Sequence, residues 1–79
     1  MTKTQMEETG YHSAFLDCYH YLRRFADGAG DEAYWTAAAM EANDICNRYK
    51  DTDAYKLAAG ILSVAYDELK RRIKTKEDQ

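Results

Sequence analysis

The side chains in this chain that could do chemistry are Cys18, Cys46, His12, His20 and a scatter of carboxylates. As metal ligands or as a nucleophile with its base they would have to converge, and their spacing works against that. Cys18 and His20 are two positions apart, which on a helix turns them about 160° away from each other, too far to hold one ion without distortion. His12 follows Glu8 by four positions, and His20 stands three after Asp17 and four before Arg24. Such spacings make surface pairs worth a few tenths of a kcal/mol. Asp51 and Asp53 flank Thr52 and could suggest part of an ion site, but helix capping and solvation account for both. Glu41 with Asp44 and Asp67 with Glu68 suit solvated helix faces. No HExxH or CxxC motif, glycine-rich phosphate loop or calcium-binding loop occurs. The expectation is a chain that is not an enzyme, with no metal, cofactor or small-molecule substrate.

The elements that would carry these residues are helices. There are no prolines and four glycines in 79 residues, so the punctuation of strands and domain linkers is nearly missing. A chain this short holds one core and buries only about 60% of its unfolded surface, which predicts modest stability unless a partner or a second copy adds apolar contact. Its longest apolar run is far below the roughly 18 residues of a membrane span, and no hydrophobic leader follows Met1; together these predict a cytoplasmic protein with no membrane partner. Two cysteines are too few for a secreted disulfide scaffold. If Cys18 and Cys46 lie on antiparallel neighbours, unequal distances from the turn between them leave about 9 Å along the axis, so both are expected reduced.

Apolar spacing predicts an all-α, compact three-helix bundle over approximately residues 10–27, 32–50 and 53–74. Residues 1–8 form a flexible N-terminal segment in this reading, residues 9–75 the domain, and residues 76–79 a flexible tail. Thr9 is the expected cap of the first helix, whose inward stripe is Tyr11, Phe15, Cys18, Leu22 and Phe25, with Tyr21 on its edge. Gly28-Ala29-Gly30 ends it. Asp31 caps the second helix, which turns Tyr34, Trp35, Ala38, Ala42, Ile45, Cys46 and Tyr49 inward, alanines at the centre and aromatics towards the ends. Asp51-Thr52-Asp53 offers alternative caps for a third helix with Tyr55, Ala58, Leu62, Ala65, Leu69 and Ile73 inward and Tyr66 alongside. Asp31-Glu32-Ala33-Tyr34 resembles Thr52-Asp53-Ala54-Tyr55, but an offset of 21 residues is too short for a two-helix repeat. The seven tyrosines admit two readings: Tyr11, Tyr34, Tyr49, Tyr55 and Tyr66 border the core with hydroxyls at water, or some of Tyr19, Tyr21 and the others line a recognition surface.

Function must then come from surfaces. On the third helix Leu57, Ile61 and Val64 form an arc of about 60° beyond the core stripe, and the two sets make that helix apolar over roughly 220°. Two neighbours in a small bundle need not cover so much, so this arc is the candidate protein interface, joined by Met40 and Leu16 outside their own core arcs. A helix placed centrally between the other two would instead bury both arcs. The leading reading is a non-enzymatic protein-interaction or regulatory module, its partner another protein or itself as a homodimer. A phage or mobile-element anti-defence inhibitor acting by protein binding is a specific version of it.

Charge supports a second reading. The net charge of −3 is uneven: residues 1–25 balance three acids with three bases, residues 26–55 set seven acids against Arg48 and Lys50, and residues 56–79 set six bases against four acids. Lys70, Arg71, Arg72, Lys74 and Lys76 are the candidate contacts of a nucleic-acid-associated regulator, while the acidic middle opposes that use.

Overall fold

The structure, a computed structural model, describes the backbone of residues 1–77 and the side chains of residues 1–73. It is all-α. Four helices follow in order among the described residues: α1 (Lys3–Glu8), α2 (Tyr11–Phe25), α3 (Glu32–Arg48) and α4 (Tyr55–Glu77). The last three form the expected bundle, α2 and α4 parallel and α3 running against both. No helix is long and apolar enough to cross a membrane among the described residues.

The N-terminal segment carries a short helix. Thr2 and Gln5 make a reciprocal capping box: the Gln5 amide N–H donates to Thr2 Oγ1 at 3.1 Å and the Thr2 N–H to Gln5 Oε1 at 2.8 Å. Satisfying two otherwise orphaned donors starts a six-residue helix whose sequence shows no apolar period. Thr9 is not the cap of α2. It closes α1, its hydroxyl donating to the Gln5 carbonyl at 2.8 Å, and Gly10 at φ 85° turns the chain into α2 without a side-chain cap. The other starts follow the sequence more closely. Asp31 accepts from the Tyr34 N–H at 2.8 Å, and Thr52 Oγ1 accepts from the Ala54 N–H at 3.2 Å before α4 begins.

Alanines let the helices come close. Ala14, Ala38, Ala54 and Ala58 are all fully inaccessible, with Ile45, Leu62, Leu69 and Ile73 filling the remaining core. Against that low-volume seam α2 presents Ala14, Cys18, Tyr21 and Phe25, not the predicted Tyr11, Phe15, Cys18, Leu22 and Phe25. The difference is a rotation of about 50° on the helical wheel. Tyr21 enters the space that small residues leave, and its buried hydroxyl donates to the Ala38 carbonyl at 3.1 Å. On the α3 side of α2, Asp17 accepts from Arg48 Nη1 at 2.7 Å and from the Tyr49 hydroxyl, and Arg24 lies 3.5 Å from Glu41. These polar contacts face that flank of α2 towards α3 and turn Phe15 and Leu22 out, 48% and 37% exposed.

The tyrosines are more deeply used than expected. Tyr49 is buried with its hydroxyl on Asp17, and the Tyr34 hydroxyl donates to the Phe25 carbonyl, so neither waits at water. Tyr55, expected inside, is exposed. A ladder of rings joins the three long helices: Tyr21 tilted against Phe25, then edge-on contacts from Phe25 to Tyr34, Tyr34 to Trp35 and Trp35 to Tyr66, with centroids 4.8–5.6 Å apart. Aromatic area at the bundle ends thus supplies burial that the alanine seam cannot.

Candidate functional site

The third helix of the sequence reading is α4, and its second apolar arc is open. Leu57 and Ile61 are half-buried while Val64 is 70% exposed. With Leu22 of α2 they line a groove of about 640 Å³, floored by Ala65 and bounded along α4 by Lys56 and Glu68. Its position follows from the two helices beneath it. The core stripe of α4 faces α2 and α3, which leaves the outer side of the Leu57, Ile61 and Val64 arc uncovered among the described residues. The rotation of α2 then swings Leu22 to the same edge. Phe15 precedes Leu22 by seven residues, two turns, and extends that apolar face along α2.

Gly60 adds a separate observation. It lies in the groove, midway between Leu57 and Val64, and a Cβ placed on it would meet nothing within 4 Å. Glycine inside a helix costs about 1 kcal/mol relative to alanine. Among the described residues no close approach within the chain offsets that cost.

The predicted interface residues therefore do not form one surface. Leu57, Ile61 and Val64 come together as expected. Met40 is 62% exposed on the outer side of α3, in a shallow depression with Thr36 and Ala37, and Leu16 is 44% exposed on the outer side of α2. Met40 and Leu16 sit on different helices, each turned away from the α4 groove. Leu22 and Gly60 also line the groove, although the apolar stripe of the first long helix predicts Leu22 inside. No sequence signal separates Leu22 from a core residue, because the rotation of α2 rests on polar contacts to α3.

The basic candidates diverge. Lys70 lies over the Tyr66 ring at 4.8 Å, Arg71 Nε donates to Glu68 at 3.0 Å, and Arg72 approaches Asp27 at 3.9 Å. Consecutive positions point about 100° apart around the helix, so Lys70, Arg71 and Arg72 make no common phosphate-facing row. The Lys74 and Lys76 side chains lie outside the described residues.

The residues with chemical potential are dispersed and quiet. Among the described residues, no three His, Cys, Asp or Glu side chains cluster to hold a metal ion. His12 and His20 are exposed, His20 edge-on to Tyr19. Both cysteines are free, and burial pushes the Cys18 thiol up, away from the reactive thiolate. Burial also raises Tyr21 to about 12, with smaller contributions from Tyr34, Tyr66 and Glu41. Tyr49 reaches about 12 through burial and then through its hydrogen bond to Asp17. Hydrogen bonding to Arg71 holds the Glu68 carboxyl below its ordinary range. Tyr49 lines a shallow depression with Glu8, Ser13, Asp51 and Asp53, and its hydroxyl is held on Asp17. The groove itself is walled by aliphatic side chains and offers surface for another apolar body.

Comparison with family models, with curated proteins and with solved structures returned no match for this chain.

Proposed function

We propose that this protein is a non-enzymatic interaction module whose working surface is the α4 groove. The observation that carries the reading is the second apolar arc of Leu57, Ile61 and Val64, left open beside Leu22 in an otherwise packed bundle. Continuous aliphatic surface in a groove bordered by charged residues is what an amphipathic helix requires of its receptor. A regulator or an inhibitor that works by occupying a partner's surface would use the same groove.

A photo-reactive amino acid placed at Val64, and separately at the outward-facing Asn47 on α3, tests this in the protein's own cell. Adducts to a protein, of any identity, should form from position 64 and be far weaker from position 47. Equal or absent adducts from position 64 would refute the groove as a docking surface.

A further inference from the structure

The groove also carries information about what fills it. Three features of α4 stand out together: the aliphatic arc, the unoccupied space over Gly60, and two exposed charges on one edge of the helix, Lys56 and Asp67. Among the described residues neither charge has an ion-pair partner within the chain. They are eleven positions apart, about three turns, and fall within about 20° of each other on the wheel. Their midpoint lies between Ile61 and Leu62, beside Gly60 and level with the centre of the groove.

That arrangement is self-complementary under one symmetry. A twofold axis perpendicular to α4 at the midpoint brings an antiparallel copy of α4 across the groove. Residue pairs that sum to the same total then face one another, so Lys56 of each copy meets Asp67 of the other. Gly60 of each comes opposite the Ser63–Val64 turn of the other, where the missing side chain lets the backbones approach. In a parallel twofold pairing the charged edges of the two copies would fall on opposite sides of the interface, and no Lys56–Asp67 pair would form. The chain also gains from being covered, because a bundle of this size buries a smaller fraction of its unfolded surface than a larger domain does.

We propose that the groove receives α4 of a second copy of this chain, antiparallel, with Lys56 paired to Asp67 across the axis and Gly60 at the close approach. This rests on the groove being the working surface, and names its occupant.

Sedimentation equilibrium of the purified full chain, up to millimolar concentration, measures the association. Wild type should dimerise, and Val64→Glu should abolish the dimer while circular dichroism keeps its helical signal, since Val64 lies outside the core. Each residue occurs twice in the interface, so Lys56→Asp and Asp67→Lys should each weaken the dimer about five- to tenfold. The double variant K56D/D67K should return to within about twofold of wild type. A strictly monomeric wild type overturns the proposal, as does a dimer indifferent to Val64→Glu. Weakening by both single reversals without recovery in the double variant overturns the antiparallel register. Adducts from position 64 to a different protein, with a monomeric wild type, would retain the docking groove and discard the second copy as its occupant.

Discussion

Replacing a single glycine by alanine should change stability in opposite directions at three places in this chain. At Gly60 the added methyl meets nothing within 4 Å, so the gain in helix propensity stands alone: about 1 kcal/mol of stabilisation, or roughly 4–8 °C in melting temperature for a domain of this size. At Gly28 the same methyl would sit 1.9 Å from Tyr34 Cε2. That ring cannot readily move. It is packed edge-on between Phe25 and Trp35, and its hydroxyl is bound to the Phe25 carbonyl. Overpacking there should cost roughly 1–3 kcal/mol. At Gly30 two penalties add, a φ of +77° and a Cβ 2.5 Å from Ile73 Cγ2, for a loss of roughly 2 kcal/mol or more. The assay is equilibrium urea unfolding followed by circular dichroism, at protein concentrations low enough that association makes no contribution. Midpoints should move up for G60A and down for G28A and G30A, with slopes unchanged. A neutral or destabilising G60A in dilute protein would refute the claim that α4 is unsupported at that point within the chain. If α4 pairs with a second copy, the advantage of G60A should shrink as concentration rises, because the methyl occupies the close approach.

Alkaline pH should unfold the protein through its two most perturbed phenols. Tyr21 and Tyr49 ionise near 12 in the fold against about 10 when unfolded, so their contribution is fully present below pH 10 and lost as pH rises through 12. The shift is worth roughly 2–3 kcal/mol for each, and denaturant unfolding at pH 9 and above pH 11 should show the loss. Equal stability at both values would contradict the burial of these hydroxyls. Asp17→Asn removes the carboxylate that binds Arg48 and accepts from Tyr49, and should cost about 1 kcal/mol. It should also bring the late tyrosinate absorbance of Tyr49 to lower pH, since Asp17 is the second cause of its shift after burial. An unchanged spectrophotometric titration would disprove that assignment.

Helix content, the number of long helices and the core face of α4 are legible in the sequence because they depend on local properties. The 3.6-residue spacing of Ala58, Leu62, Ala65, Leu69 and Ile73 needs no partner to be read, and Asp31 caps α3 as its position before Glu32 predicts. The excess width of the apolar face on α4, carried by Leu57, Ile61 and Val64, is legible for the same reason. The capping box of Thr2 and Gln5 was equally local, and a search for apolar period alone passes over it. The rotation of α2 is of a different kind. Its apolar arc is broad enough that Tyr21 or Leu22 could face inward, and burial alone scarcely separates the two. Alanines on α3 and α4 that admit a tyrosine, a backbone carbonyl at Ala38 to receive its hydroxyl, and Arg48 and Tyr49 waiting for Asp17 decide it. All of these belong to other helices. The groove inherits that decision: the sequence determines that α4 has an apolar face to spare, and tertiary packing determines that Leu22 stands beside it and that Gly60 has nothing above it.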